Sequence, residues 1–469
     1  MSTVPIVPPP PTPSVNANIT VSNRASADFD LALSTSFQPA EWDNAFFFTS
    51  TTAKKTLLEN LQPHHIRLQT ISRGIPQTSP TTWDFSVLDD ITQPVLAVGD
   101  HSPEMQLGWA PSFMWAGGEL DASQFSDYAQ KMVSYYNSPA GFTASDGSHV
   151  SPSGLPIRWW GILNEPSINN VSDTEYVQIY NEVVPAMKAA DPTLKFVALE
   201  LCCGSEYYAQ TFADNVTVQV DAVATHYYSS CNQKDSDQQL FSTVPGFANS
   251  VQRIAAYLST NPALGNVPIW ITENNVNADF DAGGGISACN GTNFVTDRRG
   301  SSAFFAAWRP YVFSQTGKAG ARALYHWDFD ADAQFGEVDY NTGHTQLSYW
   351  VDYWLAHMFP GGNNAKLLES TNSDSAEIEV LPVLNSDGSV VIMVANHAVA
   401  SPTDNNGSGL AAKVSLDVSS LGSFTSASQI TLDSATDAAA GPIQQAILPA
   451  STLHLTFSGY GTTIVKLIP

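Results

Sequence analysis

The sequence has few basic residues and no long apolar segment. Only 19 of its 469 residues are Lys or Arg, against 44 Asp or Glu, which gives a formal charge of −25. Such a chain has no basic surface with which to neutralise phosphates, so we expect neither nucleic acid nor an anionic membrane as a partner. No run approaches the roughly 20 apolar residues that a membrane-spanning helix needs. The overall charge therefore favours a neutral substrate.

Motifs of several enzyme classes are also missing. No glycine-rich phosphate turn follows the first predicted strand, and neither a G-x-S-x-G elbow nor an H-E-x-x-H helix occurs. Asp328, Asp330 and Asp332 alternate as they do at the start of an EF-hand loop. Gly336, however, falls at the ninth position of that loop and not at the sixth. We therefore predict no metal and no cofactor, and interpret the loop as substrate-contacting.

Cysteine is scarce, with four in the chain: Cys202, Cys203, Cys231 and Cys289. Because a bond between the adjacent pair would strain the backbone, we expect Cys202 and Cys203 each to pair with Cys231 or Cys289. Two disulfides favour a secreted or periplasmic protein; four free thiols in a cytosolic enzyme are the alternative. The proline-rich residues 1–14, predicted to be a linker, lack the regions of a signal peptide.

From residue 29 to residue 360, short apolar runs alternate with segments of helical periodicity. We interpret eight runs as strands: FDLALSTS, HIRLQT, PVLAVGD, IRWWGILNEP, KFVALEL, VDAVATHYY, PIWITEN and ARALYHWDF. The clearest helix follows the fourth run, after a capping box formed by Ser172 and Glu175. Eight strand–helix units in this length predict an α/β fold, a (β/α)8 TIM barrel. A doubly wound sheet is the alternative.

Residues 361–469 have a different pattern, in which helical stripes give way to alternating runs such as AEIEVLPVL, SVVIMVANH and TTIVKLI. Turn residues such as those at 386–388 separate the runs, as is typical of an antiparallel β-sandwich. Residues 15–28 have the same character and are predicted to add an N-terminal strand to it. The barrel would then be inserted between the first strand of the sandwich and the rest.

Polar and aromatic side chains stand at the predicted strand ends, where barrels of this kind hold their catalytic groups. They are Arg67, Asp100, His101, Asn164, Glu165, Glu200, His226, Tyr228, Glu273, Trp327 and Asp328. A single Glu after a strand often caps the next helix, as Pro166 after Glu165 would suit. Glu165 and Glu273, however, end two buried runs three strands apart, which indicates a shared cleft. Glycoside hydrolysis generally requires two carboxyl groups on either side of the bond that is cleaved.

The runs ILNEP and WITEN together resemble the paired signatures of clan A retaining glycoside hydrolases. The resemblance implies that Glu165 is the acid/base and Glu273 the nucleophile. It also implies that Arg67 keeps the nucleophile ionised and that Asn164 binds the sugar 2-hydroxyl. By the same resemblance, His226 and Tyr228 line the cleft and Trp327 forms the floor of the −1 subsite.

His101, Trp109 and Asp328 complete the predicted set of substrate-binding or supporting residues. Trp109, in the run GWAPSFMWAGGEL, is either a platform on which a sugar stacks or part of a loop core. This run resembles the Trp-rich loop of family 30, whereas RWWGILNEP with its long helix is more similar to family 39. The strand-seven end reads Glu273-Asn274-Asn275, where many members of the clan carry an aromatic residue, so their subsites do not transfer to this chain.

The sequence therefore predicts a retaining glycoside hydrolase that cleaves β-glycosidic bonds of a neutral oligo- or polysaccharide. We expect an exo-glycosidase of the β-xylosidase or β-glucosidase type, with a carbohydrate as its partner. An endo-acting glycanase of the same clan and a non-catalytic glycan-binding protein are the alternatives. Two buried carboxylates argue against the binding protein, because binding alone gains nothing from them.

Overall fold

The computed structural model describes residues 14–37, 52–70, 74–99, 102–362 and 364–469. They form a closed barrel of eight strands and a separate nine-stranded sheet. The predicted TIM barrel and C-terminal sandwich are thereby confirmed. The predicted proline-rich linker, apart from Ser14, lies outside the described residues.

The barrel closes in the order of the chain. After β1 (Ser14–Phe29), which belongs to the sheet, its strands are β2 (Ala32–Phe37), β3 (Ile66–Gln69), β4 (Glu104–Leu107), β5 (Trp159–Ile162), β6 (Lys195–Leu201), β7 (Ala222–Ser230), β8 (Ile269–Asn277) and β9 (Ala323–His326). The helices that follow are α1 (Thr52–Leu61), α2 (Ser86–Leu96), α3 (Ala122–Asn137), α4 (Asp173–Ala190), α5 (Tyr208–Asn215), α6 (Asp237–Leu258), α7 (Ala303–Lys318) and α8 (Leu347–Met358). All neighbouring strands are parallel, and β9 pairs with β2.

Local sequence explains where the elements begin. α4 starts at the predicted capping box, in which the backbone N–H of Glu175 donates to Ser172 Oγ at 3.2 Å. The first three residues of β6, β7, β8 and β9 contribute to an apolar cluster that fills the lower barrel: Val197, Ala222, Ala224, Trp270, Ala323 and Tyr325. Polar groups are therefore concentrated at the opposite end, where the strands finish.

The third barrel strand is the one element that the sequence misplaces. The run PVLAVGD is not a strand, because it contains the end of α2. Leu88, Thr92 and Val95 share one buried face of that helix at helical spacing. The strand is β4, in which Glu104 and Gln106 alternate with apolar residues, a pattern that a search for apolar runs overlooks.

The sheet strands after the barrel are β10 (Ala365–Asn372), β11 (Ile378–Leu384), β12 (Val390–Asn396), β13 (Ala411–Asp417), β14 (Ser426–Asp433), β15 (Gln445–Ile447), β16 (Thr452–Phe457) and β17 (Gly461–Ile468). Their order is β15-β14-β17-β12-β11-β10-β1-β13-β16. The predicted N-terminal strand is confirmed, since β1 pairs antiparallel with β10 and parallel with β13. Alternate residues of eight strands meet in one apolar cluster, so the sheet packs on itself as a sandwich.

The sandwich packs against the barrel through α7, which is apolar on both faces and almost wholly buried. Thr462 Oγ1 donates to the carbonyl of Ala306 at 2.6 Å, and Gln315 Nε2 donates to Glu379 Oε2 at 3.0 Å. Residues of both parts also share one continuous core. Among the described residues, no helix combines the length and apolar character needed to cross a membrane.

Candidate active site

A cavity of about 960 Å³ opens at the carboxyl ends of the barrel strands. Asn164 and Glu165 after β5, His226 and Tyr228 of β7, and Glu273 of β8 line it. Parallel strands bring their carboxyl ends to one rim, which explains how residues so far apart in sequence share one cleft. The structure thus brings the two predicted carboxylates together with three of their predicted neighbours.

Glu165 is carried by a strained backbone turn after β5. Leu163 and Glu165 have φ of 59° and 44°, left-handed conformations that residues with side chains rarely adopt. The N–H of Glu165 donates to the carbonyl of Glu200 at 3.1 Å, and Asn169 Nδ2 donates to that of Asn164 at 2.8 Å. These bonds hold the turn and leave 18% of the Glu165 side chain exposed in the cavity.

Glu273 lies within β8 and has three donors on its carboxylate. Its Oε1 accepts from Arg67 Nη1 at 2.9 Å and from Gln69 Nε2 at 3.4 Å. Its Oε2 accepts from the hydroxyl of Tyr228 at 2.9 Å. Arg67 and Gln69 are alternate residues of β3, so both point into the barrel. The buried carboxylate is therefore paired with a cation and held in one orientation, as a positioned nucleophile requires.

Asn164 is oriented by the same guanidinium. Arg67 Nη2 donates to Asn164 Oδ1 at 3.0 Å. Because a guanidinium has no acceptor, the amide oxygen must face Arg67, and Nδ2 is left to donate to a ligand in the cavity. Burial lowers the pKa of Arg67, but Glu200, Glu273 and Glu104 together raise it above its usual value.

The ring of His226 bridges two carboxylates. Nδ1 lies 2.9 Å from Glu165 Oε1, and Nε2 lies 2.9 Å from Glu200 Oε2. Burial lowers the pKa of His226, but Glu273, Glu165 and Glu200 outweigh burial and raise it to about 10. At neutral pH the ring is therefore an imidazolium that donates to a carboxylate from each nitrogen.

Two buried carboxyl groups to which the sequence assigns no role lie beneath this pair. The register of β6 against β7 shifts between Ala198 and Leu201, and this irregularity turns Glu200 inward. Burial raises the pKa of Glu200, but Arg67 and His226 bring it below its usual value. Burial and the charge of Glu200 raise the pKa of Glu104 to about 8, against the effect of Arg67. The sequence offers one signal for both glutamates: each is an ionisable residue within a strand whose other positions are mostly buried.

Two predicted aromatic residues lie at the cavity. Trp327 packs with Tyr228 and Phe335, and the Arg67 guanidinium lies 6.0 Å from its ring centroid. Trp109 is 43% exposed and lines both this cavity and a smaller apolar pocket beside it. Its exposure favours the sugar platform over the loop core.

The structure does not bring every predicted residue to the cavity. Asp328 is buried and absent from the cavity wall, and its Oδ1 accepts from the backbone N–H of Asp330 at 2.9 Å. Asp100 and His101 lie outside the described residues, and because PVLAVGD is not a strand they do not follow the third barrel strand directly.

The cysteines differ from the expectation. Cys231 and Cys289 form a disulfide with their Cα atoms 5.9 Å apart, whereas Cys202 and Cys203 are free thiols. The predicted pairing of Cys202 and Cys203 with the other two is therefore wrong. The N–H of Ala278 donates to the carbonyl of Ser230 at 2.9 Å, so the segments after β7 and β8 run side by side. This pairing brings Cys231 to the loop that holds Cys289.

Within the described ranges, two groups of side chains have donor atoms close enough together for a metal ion. One is Glu165, His226 and Glu273, and the other is His326, Glu337 and Asp352. In the first group both nitrogens of the imidazole already contact carboxylates, so His226 has no lone pair to offer. In the second, Asp352 is held by Arg309 Nε at 2.9 Å. We interpret the first group as a network of hydrogen-bonded ion pairs, and Asp352 of the second as the ion-pair partner of Arg309.

The two carboxylates that line the cavity are close to each other. One oxygen of Glu165 and one of Glu273 lie within 4.8 Å of each other and of a ring nitrogen of His226. The two carboxylates differ in environment. Glu273 accepts hydrogen bonds from Arg67 and Tyr228, whereas Glu165 contacts neither of them and is bound by the imidazolium of His226. Such a pair can attack a carbon with one oxygen and protonate a leaving group with the other.

Comparisons with known proteins agree with this fold. No protein-family model and no curated protein matches the sequence. Among solved structures, a monomeric β-xylosidase from Caulobacter crescentus CB15 matches with a TM-score of 0.65 and 15% identity, covering 97% of this chain and 100% of that one. A family 39 enzyme from Xanthomonas axonopodis pv. citri matches with a TM-score of 0.64 and 14% identity, covering 99% and 100%.

A family 51 arabinofuranosidase from Xanthomonas axonopodis pv. citri also matches, with a TM-score of 0.66 and 11% identity over 97% of this chain and 100% of that one. The chain therefore has the fold of clan A glycoside hydrolases, with family 39 and family 51 structures among its neighbours. The predicted resemblance to this clan, and to family 39 within it, is confirmed in the fold.

Proposed function

We propose that the protein is a retaining glycoside hydrolase that cleaves β-glycosidic bonds of a neutral oligo- or polysaccharide. The observation that carries the proposal is the approach of Glu165 and Glu273, whose nearest oxygens lie within 4.8 Å. Retaining enzymes hold their carboxyl groups about 5–5.5 Å apart, whereas inverting enzymes need about 6.5–9.5 Å to admit water between them.

In the first step Glu273 attacks the anomeric carbon while Glu165 protonates the departing oxygen. Arg67 and Tyr228 hold the Glu273 carboxylate in place by bonds of 2.9 Å each. The imidazolium of His226 occupies Glu165 Oε1, which leaves the other oxygen of Glu165 to deliver the proton. The products are a glycosyl ester on Glu273 and a free leaving group.

In the second step Glu165, now ionised, takes a proton from water as that water attacks the anomeric carbon. The ester to Glu273 breaks, and the sugar leaves with its original configuration. Asn164 Nδ2 is placed to donate to the sugar 2-hydroxyl in both steps, because Arg67 holds the amide oxygen on its far side.

The wall of the cavity supports a neutral substrate. No lysine or arginine is among the described residues that line it, whereas Glu206 and Asp281 add to its negative charge. An anionic sugar would meet no cation there other than His226, which is already engaged by two carboxylates. We propose an exo-acting enzyme of the β-xylosidase or β-glucosidase type; an endo-acting glycanase is the alternative. The disulfide supports export of the protein.

A second candidate activity follows from the structural neighbours. Arabinofuranosidases from Thermotoga maritima and Xanthomonas match with TM-scores of 0.67 and 0.66, as high as those of the β-xylosidases. A double displacement at an α-L-arabinofuranosyl group would need the same pair of carboxylates, so the site described here fits that substrate as well. The substrate sugar decides between the two.

The test is a panel of nitrophenyl β-D-xyloside, β-D-glucoside and α-L-arabinofuranoside, followed by natural glycans. We expect hydrolysis of at least one, with NMR showing that the first product retains its anomeric configuration. Glu273→Ala should fold normally and lose turnover by several orders of magnitude. Tight glycan binding without turnover by the wild type would support the binding protein, and an inverted first product would exclude the retaining mechanism.

A further inference from the structure

Two adjacent free thiols lie in the wall of the cavity that holds the carboxylates. Cys202 is buried, Cys203 is exposed, and both line the cavity together with Glu165. They follow β6 directly, in a turn closed by the N–H of Ser205, which donates to the carbonyl of Cys202 at 3.0 Å. The proposed mechanism uses neither thiol.

We propose that Cys202 and Cys203 form a reversible vicinal disulfide that reshapes the leaving-group side of the cavity. This role rests on the proposed glycosidase function, because it assigns a side of the cleft to the leaving group. The formation of the bond does not rest on it, since it depends only on the two thiols and their surroundings.

The two thiols differ in the way that thiol–disulfide exchange requires. The interaction between the two neighbouring side chains lowers the pKa of the Cys203 thiol, whereas the same interaction and burial raise the pKa of the Cys202 thiol. Cys203 is therefore both the more exposed thiol and the better source of thiolate, which is the attacking species.

A low-molecular-weight disulfide such as oxidised glutathione is the oxidant. The Cys203 thiolate attacks one of its sulfurs, which forms a mixed disulfide and releases one glutathione thiolate. Cys202 then loses its proton to solvent and attacks Cys203 Sγ, which releases the second glutathione. Two protein thiols are oxidised, one glutathione disulfide is reduced, and the chain loses two hydrogen atoms.

The new bond would be easier to reduce than an ordinary structural disulfide. Adjacent Cα atoms across a trans peptide are about 3.8 Å apart, below the usual range of roughly 4.4–6.8 Å for bonded cysteines. Strain of this kind makes a disulfide labile, as in regulatory bonds. Cys231 and Cys289, at a Cα separation of 5.9 Å, lie within the usual range.

The thiols are on the side of the cavity where the leaving group would depart. Glu165 protonates that group, and the charge of Glu165 acts on both thiols. The same wall includes Ile168 and Phe280, which are 55% and 40% exposed. Joining the two sulfurs replaces two polar S–H groups by a compact apolar surface and fixes the turn. Binding of a sugar or aryl leaving group should change, whereas the attack by Glu273 should not.

The first measurement needs no activity. The protein is incubated with reduced or with oxidised glutathione, alkylated, and analysed by peptide mapping. We expect the oxidised sample to contain a Cys202–Cys203 bond without glutathione, with Cys231–Cys289 intact in both samples. Free thiols at both positions, a persistent glutathione adduct on Cys203, or a bond from either to Cys231 or Cys289 would each overturn the proposal.

The second measurement compares kcat/KM of the two forms on a glycosyl fluoride and on a disaccharide of the same sugar. Fluoride is too small to reach the thiols, so kcat/KM for the glycosyl fluoride should stay constant, while kcat/KM for the disaccharide should change by about fivefold or more.

Cys203→Ser cannot form the bond and should show no response to oxidised glutathione. An equal change for both substrates, or none, would refute the effect on the leaving group. Inactivity of both forms on every glycoside would count against the glycosidase function instead, and would leave the peptide map valid.

Discussion

Nε2 of His226 lies 2.9 Å from Oε2 of Glu200, on the opposite side of the imidazole from Glu165. The buried Glu200 therefore acts on Glu165 through a charged ring. Thr272 Oγ1 donates to the same oxygen of Glu200 at 2.5 Å, and Arg67 Nη2 lies 3.3 Å from it. Glu200 is thus a positioning residue that fixes both the charge and the orientation of His226.

Glu200→Gln removes that charge while keeping the shape of the side chain. We expect the pKa of His226 to fall from about 10, because one of the carboxylates that raise it is gone. Activity should fall by roughly tenfold to a hundredfold, as when an outer-shell partner of a site residue is lost. NMR titration of the His226 ring measures the pKa directly.

Glu104→Gln is the matched control for this change. Glu104 has a pKa of about 8 and is largely protonated at neutral pH, so the amide resembles its resting state. Activity at pH 6–7 and the His226 titration should change little. If both variants shift the titration equally, the specific bond from Glu200 to His226 is not its cause.

His226 and Glu104 each stabilise the folded protein more at low pH than at high pH. His226 has a folded pKa of about 10 against 6.5 as its ordinary value, so its contribution is complete below about pH 6.5 and is lost as pH rises through 10. Glu104 behaves in the same way. Its pKa is raised from 4.5 to about 8, so its contribution to stability is lost as pH rises from about 4.5 to about 8.

Urea unfolding at a series of pH values measures this dependence. Buried histidines such as His65 and His397, whose pKa values are lowered by burial, act in the opposite direction below about pH 6.5, so the wild type is compared with Glu104→Gln. We expect the free energy of unfolding of the wild type to fall relative to that of Glu104→Gln between about pH 4.5 and pH 8. A constant difference between the two curves over this window would contradict the raised pKa of Glu104.

Gly161 makes room for the buried carboxyl groups. A Cβ at this position would lie 2.7 Å from Gln106 Cγ, 3.0 Å from Glu104 Oε1 and 3.2 Å from Glu200 Oε1. Gly161→Ala should destabilise the protein by about 1–3 kcal/mol, as overpacking in a core typically does. Thermal unfolding checks this expectation.

Gly246 provides the control, because it lies in α6 with no atom within 4 Å of its added Cβ. Gly246→Ala should be neutral or stabilise by up to about 1 kcal/mol, since alanine is the better helix residue. Equal destabilisation by both substitutions would show that crowding at Gly161 is not the reason.

Asn164→Ala should reveal the contact with the sugar 2-hydroxyl. We expect kcat/KM on the ordinary glycoside to fall on the order of a hundredfold or more, because this bond strengthens in the transition state. On the matching 2-deoxy glycoside the same variant should lose far less. A similar loss on both substrates would mean that Asn164 acts by holding Arg67 and not by binding the sugar.

Much of the fold and of the site could be predicted from the sequence, where the pattern directly reflects burial. IRWWGILNEP and PIWITEN are apolar because helices cover the barrel, and each ends in a carboxylate that the strand places at the rim. The prediction of a strand at PVLAVGD failed because one turn of an amphipathic helix and a short strand can contain the same apolar residues. β4 was hidden because its inward residues, Glu104 and Gln106, are polar.

The network beneath the two carboxylates depends on tertiary contacts that no local pattern encodes. Glu200 reads as one acidic residue in an apolar run, and a register shift in β6 is what turns it towards His226. The disulfide likewise depends on how the loop after β8 returns to the end of β7. The sequence therefore predicts most of the residues at the rim, but neither the burial of Asp328 away from the cavity nor the contact of Glu200 with His226.

Glu273 is the proposed nucleophile of a double displacement. The most direct test is to incubate the protein with the dinitrophenyl 2-deoxy-2-fluoro glycoside of its preferred sugar and to map the labelled peptide by mass spectrometry. We predict one fluorosugar on Glu273, with no label on the Glu273→Gln variant. A label on Glu165 or elsewhere, or turnover with inversion and no label, would contradict the assignment.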